Sequence, residues 1–181
     1  MKQILLVLGI FFLATTSNAQ ISKASLQASG LTCSMCSKAV KIALEKVSFV
    51  EKIDVDIKNQ RYNLQFKRGA KVNLDALSKA VIDAGFSVAS LKVTADLESI
   101  KAAKDAHVSI GGQNFHFLNG TGQQLNGTTT FSVVDRSFVS AKDFKKHSAA
   151  TKMECIRTGK AAACCAQDRI AEGARVYHVI I

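Results

Sequence analysis

The chain has 181 residues, 48% of them hydrophobic, with no Pro and no Trp. That length and apolar content suit one or two small packed domains and exclude a disordered or collagen-like chain. The formal charge is +10, but aromatic residues make up only 7% and do not interleave with the Lys and Arg residues, so the excess reads as a solvated basic surface and no nucleic-acid partner is expected.

The chain opens with Lys2, an apolar run from Ile4 to Leu13, and small residues ending in Ala19. This is the layout of a secretory signal over residues 1–19, cut before Gln20. The run is too short to span a bilayer. The expectation is an exported protein, in the bacterial periplasm, with no membrane span after cleavage. Its thiols would then meet an oxidising compartment.

Residues 21–95 alternate between strand and helix patterns. Ala24, Leu26 and Ala28 recur with period two, a strand, and Gly30 lets the chain turn out of it. Cys36, Ala39, Val40, Ala43, Leu44 and Val47 then follow helical spacing, with Thr32 or Ser34 as the expected cap. Val50, Ile53, Val55 and Ile57 predict a second strand, and Tyr62, Leu64 and Phe66 a third, joined by the polar turn from Lys58 to Arg61. Asn73 caps a second predicted helix with Leu74, Leu77, Val81 and Ala84 on one face, stopped by Gly85. Phe86, Val88, Leu91 and Val93 predict a fourth strand. The fold class is therefore α+β. A β-α-β-β-α-β order with right-handed crossovers closes into a ferredoxin-like sandwich, two helices on one face of a four-stranded sheet.

The chemistry sits between the first strand and the first helix. Cys33 and Cys36 stand at Cys-x-x-Cys spacing in a loop that becomes the first helical turn. Helix N-terminal N–H groups favour thiolate, the form that binds soft metals. Two ligands in an exposed loop leave an ion under-coordinated and open to attack by a partner's thiol, which suits transfer. A structural zinc site needs four ligands, and no second Cys-x-x-Cys stands nearby. The same spacing also serves dithiol redox chemistry or an inert structural pair. Met35 between the two cysteines is read as a loop residue, not a ligand.

Gly30-Leu31-Thr32-Cys33-Ser34-Met35-Cys36 resembles the Gly-Met-Thr-Cys-x-x-Cys loop of heavy-metal-associated domains, and Ala84-Gly85-Phe86 resembles that family's element after the second helix. The family includes copper chaperones, N-terminal modules of copper-transporting ATPases and periplasmic mercury-binding proteins. The resemblance covers about residues 22–94. It implies one soft ion, Cu(I) foremost and other thiophilic ions after it, held by Cys33 and Cys36 and exchanged with a metal-donor or metal-acceptor protein. Leu31 replaces the usual Met, and Ser48-Phe49-Val50 replaces the usual Gly-Val entry to the second strand. Thioredoxin-like proteins carry a cis-Pro facing the thiols, and this chain has no Pro. A thiol-disulfide oxidoreductase is thus the second reading. No nucleophile elbow, phosphate loop or paired-carboxylate motif is present, so an enzyme is not expected.

Asp96 to Ala106 is charged and Ala-rich, read as a linker or short helix. Residues 107–181 show short apolar runs between Gly and Asn turns, and predict a separate β-rich domain of unknown function, an open barrel or a sandwich. Within it, Ala141–Lys146 predicts a helical turn, Ala161–Ala171 is helix-permissive and Arg175–Ile181 closes as a strand. Asn119-Gly-Thr121 and Asn126-Gly-Thr128 read as turns. Cys155 with Cys164 or Cys165 suggests a disulfide closing a loop of about ten residues. A second soft-metal cluster of the three, with Met153 or His147, and three free thiols are the alternatives. His107, His116 and His178 stand alone on strand-like stretches and receive no role.

Overall fold

The structure is a computed structural model and describes residues 19–181. The expected export signal lies outside the described residues except for Ala19. In chain order the elements are β1 (Gln20–Ser29), α1 (Ser34–Glu45), β2 (Val50–Asp56), β3 (Arg61–Phe66), α2 (Leu74–Asp83), β4 (Ser87–Ala103), β5 (Ala106–Ile110), β6 (Gln113–Phe117), β7 (Thr121–Val133), α3 (Ala141–Ser148), α4 (Cys155–Thr158), a 3-10 turn (Ala163–Asp168) and β8 (Val176–Ile180).

The first five elements and the start of β4 form the expected β-α-β-β-α-β unit. Ile21, Ala24, Leu26 and Ala28 of β1 all point inward. Ile21 shares that face despite its odd spacing because the β1–β4 register shifts between Ile21 and Lys23, a bulge that resets the alternation. Val40 and Leu44 of α1 and Leu74, Leu77 and Val81 of α2 pack with Leu26, Tyr62, Leu64, Leu91 and Val93 in one core. Ala39 of α1, expected inside, is exposed, and Ser37 is buried in its place.

The predicted boundary after residue 95 is not a boundary in the sheet. β4 runs on through Ala95 and Leu97 and pairs along its length with β7, so residues 96–103 are strand and neither linker nor helix. Between Leu97 and Ile100 the register slips by one residue, and Ser99 takes a positive φ of 50°. This bulge breaks the alternation of Asp96, Leu97 and Glu98, and with the surrounding Lys and Ala residues it gives the segment its linker-like texture. The second Asn-Gly-Thr, at Asn126–Thr128, lies within β7 opposite the bulge and is not a turn.

All eight strands share one open sheet in the order β2-β3-β1-β4-β7-β8-β6-β5. Neighbours are antiparallel except β6 and β8, which run parallel. The core is continuous: Phe115, Phe117, Phe131, Tyr177 and Val179 belong to the same cluster as the helices α1 and α2. On the other face, α4 and the 3-10 turn cover β8 with Cys155, Ala161, Cys165 and Val176. No helix among the described residues is long and apolar enough to cross a membrane.

Candidate metal centre

Gly30 ends β1 with a φ of 86°, a conformation that favours a residue without Cβ, and carries the chain over the Phe86 ring. Leu31 is half-buried against the core, and its carbonyl accepts a hydrogen bond from Gln60 Nε2 at 3.1 Å. The loop is thus anchored by an apolar side chain and tied to the β2–β3 hairpin. Cys33 occupies the cap position of α1 in extended conformation, and no side chain caps the helix. Neither Thr32 nor Ser34 makes the cap bond expected of it. The first-turn amides and the positive end of the helix dipole therefore lie beside sulfur instead of a hydroxyl cap.

Cys33 Sγ and Cys36 Sγ are 3.0 Å apart, with Thr32 Oγ1 3.8 Å from Cys36 Sγ. Hydrogen bonding from the Cys33 thiol, then from Thr32, lowers the Cys36 thiol to about 7. Cys33 is exposed and Cys36 half-buried, so both sulfurs are accessible from solvent. Met35 is 68% exposed. Beneath the loop the first helical turn is fixed from below. The fully buried Tyr62 hydroxyl donates to the Ser37 carbonyl at 3.1 Å and sits 3.0 Å from Ser37 Oγ. Burial raises the Tyr62 pKa, which keeps the hydroxyl protonated and able to donate.

The late cysteines do not form the expected disulfide: Cys155, Cys164 and Cys165 are all free. Nor do His107, His116 and His178 stand alone. Cys155 Sγ lies 3.5 Å from His116 Nδ1, 3.4 Å from His178 Nε2 and 3.9 Å from His107 Nε2. Cys165 Sγ lies 3.4 Å from His107 Nε2 and 3.6 Å from Cys164 Sγ. Among the described residues, the groups close enough to share an ion are His107, His116 and Cys155, and Cys155, Cys164 and Cys165. Met153 packs beside them, and His147 belongs to neither group. Burial, with the nearby His178 and His107, lowers the His116 pKa to about 4, so its ring is neutral at neutral pH. Burial pushes the Cys155 thiol up.

The histidines meet because of strand register. His107 on β5 faces His116 on β6, and His116 faces His178 on β8. The only signal in the sequence was one His on each of three short apolar strands. Recognising the row requires knowing that β6 and β8 are parallel neighbours, although β7 and three helical segments separate them in the chain.

Residues 25–87 match the family model of the heavy-metal-associated domain. The mercuric transport protein periplasmic component of Pseudomonas fluorescens is 34% identical over 86 residues, which are 48% of this chain and 93% of that protein. A copper-transporting ATPase of Helicobacter pylori is 35% identical over 65 residues, 36% of this chain and only 9% of the ATPase. Among solved structures, oxidized MerP from Ralstonia metallidurans CH34 is 36% identical and matches 37% of this chain and 92% of its own, with a TM-score of 0.34. On the family model and on the extent of the match to the mercuric transport component, the chain belongs, through its N-terminal half, to the heavy-metal-associated domain family.

Proposed function

We propose that this protein captures a soft heavy-metal ion, Cu(I) foremost, on the Cys33 and Cys36 thiolates and passes it to a partner protein. The observation that carries the reading is the exposed thiol pair on an uncapped helix start, with the Cys36 pKa lowered to about 7. Thiolates select soft ions such as Cu(I). Two accessible sulfurs leave room on the ion for an incoming thiolate, so transfer proceeds by ligand exchange and needs no redox step. Cys33 and Cys36 act as the ligands, while Tyr62 and Gln60 position the loop from beneath.

The relatives named above as mercuric and copper transport proteins support a thiophilic cargo. A periplasmic location rests on the signal-like N-terminus and on the periplasmic name of one relative. The role is binding and transfer and not catalysis. The same thiol pair would serve a thiol-disulfide oxidoreductase, but neither relative carries such a name. The test is a titration of fully reduced protein with Cu(I) and Hg(II) against a competing chelator. One tightly bound equivalent, lost in both Cys33→Ser and Cys36→Ser, is expected. No such equivalent, together with reduction of insulin disulfides by the wild-type chain, would overturn the reading.

A further inference from the structure

The sheet face opposite α1 and α2 carries a donor cluster that a soft-metal shuttle does not need. His116 alternates with Phe115 and Phe117, and His178 with Tyr177 and Val179, so the imidazoles point away from the helix-covered core. His107, His116 and His178 form one row across three neighbouring strands. The α4 segment and the 3-10 turn bring Cys155, Cys164 and Cys165 down on top of it. His116, His178, Cys155 and Cys165 are all 0% exposed. The His107 side chain is 1% exposed.

Each imidazole is held by a carboxylate on its outer nitrogen. His107 Nδ1 is 2.6 Å from Asp168 Oδ2, His116 Nε2 is 3.1 Å from Asp105 Oδ1, and His178 Nδ1 is 2.7 Å from Asp135 Oδ1. A neutral ring that donates to a carboxylate from one nitrogen presents its lone pair from the other. All three lone pairs then face Cys155 or Cys165. Carboxylate–imidazole pairs aimed at a common point are how proteins fix the tautomer and angle of metal-binding histidines. A disulfide between Cys155 and a neighbour would explain the sulfurs but would give these three oriented pairs nothing to do.

We propose that this cluster is a second metal site, taking a transition-metal ion of borderline softness, Zn(II) first, through Cys155 Sγ, Cys165 Sγ, His107 Nε2 and His116 Nδ1. Donors at Zn–N and Zn–S bond lengths and a tetrahedral angle stand about 3.4 to 3.8 Å apart. Cys155 Sγ stands 3.5 Å from His116 Nδ1 and 3.9 Å from His107 Nε2, and Cys165 Sγ stands 3.4 Å from His107 Nε2, all close to that spacing. Cys165, which groups with Cys155 and Cys164 and not with His116, closes toward His116 to complete the set of four. Imidazole with thiolate is the donor mix that suits zinc and copper over hard ions. His178 Nε2, 3.4 Å from Cys155 Sγ, and Cys164 Sγ, 3.6 Å from Cys165 Sγ, flank the four donors without being ligands. A buried, four-donor site is closed to ligand exchange and acts as a structural clamp. It would pin α4 and the 3-10 turn to β5, β6 and β8, in contrast to the open two-thiol loop at Cys33 and Cys36.

The test uses the full chain, reduced, with Cys33→Ser and Cys36→Ser together, so that its outcome is independent of the first site. Zn(II) is titrated against a chelator, and Co(II) serves as a spectroscopic probe. One equivalent of either is expected, with tetrahedral and thiolate-to-cobalt absorption bands and a raised melting temperature. Cys155→Ser and His116→Ala abolish it. Asp168→Asn, which only positions His107, weakens it about 10- to 100-fold. If Cys155→Ser does not fold, Cys165→Ser and His107→Gln, checked by circular dichroism, carry the test and likewise lose the ion. No bound equivalent in the double variant, or Co(II) binding without thiolate bands, would overturn the proposal. So would Cu(I) binding that displaces Zn(II) and ignores His116→Ala, because it would assign the cysteines alone.

Discussion

Arg175 grips Asp75 with two nitrogens, Nε to Oδ2 at 2.8 Å and Nη2 to Oδ1 at 3.0 Å. The pair joins the residue before β8 to the first turn of α2 and so ties the second half of the chain to the first. Arg175 also donates through Nη1 to the carbonyls of Gly159 and Val176 and stacks 4.1 Å over the Tyr177 ring. With the shared core, this predicts that the heavy-metal-associated unit and the second half unfold as one cooperative body. Arg175→Met should cost about 1.5–3 kcal/mol, the range for hydrogen bonds to charged groups. The half-exposed Asp75 carboxylate, free to regain water, favours the lower end. Thermal unfolding read by near-ultraviolet dichroism has one tyrosine in each half, Tyr62 and Tyr177. A single transition is expected in both wild type and variant. Two separated transitions would show that the halves fold independently.

Gly159 tests the same junction from the other side. It ends α4 with a φ of 69°, and a Cβ there would stand 2.5 Å from Arg175 Nη1. Gly159→Ala therefore combines left-handed backbone strain, about 1–2 kcal/mol, with displacement of the guanidinium. For a chain of this size that corresponds to a fall in melting temperature of roughly 2 to 8 °C. Because the two residues share one contact, the Gly159→Ala and Arg175→Met losses should not add. Strict additivity in the double variant would contradict the contact.

Much of this was legible in the residues. Period-two runs at Ala24–Ala28 and Tyr62–Phe66 and the helical stripe at Leu74–Val81 are local patterns, and each is reproduced. The Cys33–Cys36 loop was legible for the same reason, since its two thiols are three residues apart and sit on one turn. What escaped was set by pairing between distant segments. The strand at 96–103 exists because β7 lies beside it, and its bulge at Ser99 erased the alternation that would have marked it. The row of His107, His116 and His178 depends on parallel pairing of β6 with β8, which no local pattern encodes. Nothing in the spacing of Cys155, Cys164 and Cys165 distinguished a disulfide from a donor cluster until the histidines were placed beside them.

Tyr62 makes a separable prediction. Its hydroxyl is the buried partner of both Ser37 Oγ and the Ser37 carbonyl. Tyr62→Phe keeps the ring packing but takes the acceptor from the buried Ser37 hydroxyl and the second donor from the Ser37 carbonyl. The expected loss is about 1–2 kcal/mol, or roughly 2 to 8 °C in melting temperature. Ser37→Ala combined with it should restore part of the loss, because the unpaired hydroxyl is then gone, and a double-mutant cycle reads that coupling directly. Since Ser37 follows Cys36, the Tyr62→Phe variant should also bind metal at the first site more weakly. Unchanged stability and affinity would remove Tyr62 from the platform.

The thiol pair carries its own pH signature. Cys36 is lowered to about 7, first by the hydrogen bond from Cys33 and then by Thr32. A thiol whose folded pKa lies below its unfolded value favours the folded state above the unfolded pKa, and that contribution is lost as pH falls through about 7. The group is exposed, so reactivity reports the shift better than stability does. In reduced, metal-free protein, iodoacetamide labelling of Cys36, resolved by peptide mass spectrometry, should rise about tenfold per pH unit below 7 and level off above it. Cys33→Ala removes the leading donor and should move the midpoint upward, and Thr32→Val should move it less. Protons and metal compete for the same sulfur, so affinity at this site should fall across the same acid range. A labelling midpoint near that of an unperturbed thiol in the wild-type chain would show that the loop does not activate Cys36, and the exchange-competent thiolate would then have to arise only on contact with a partner.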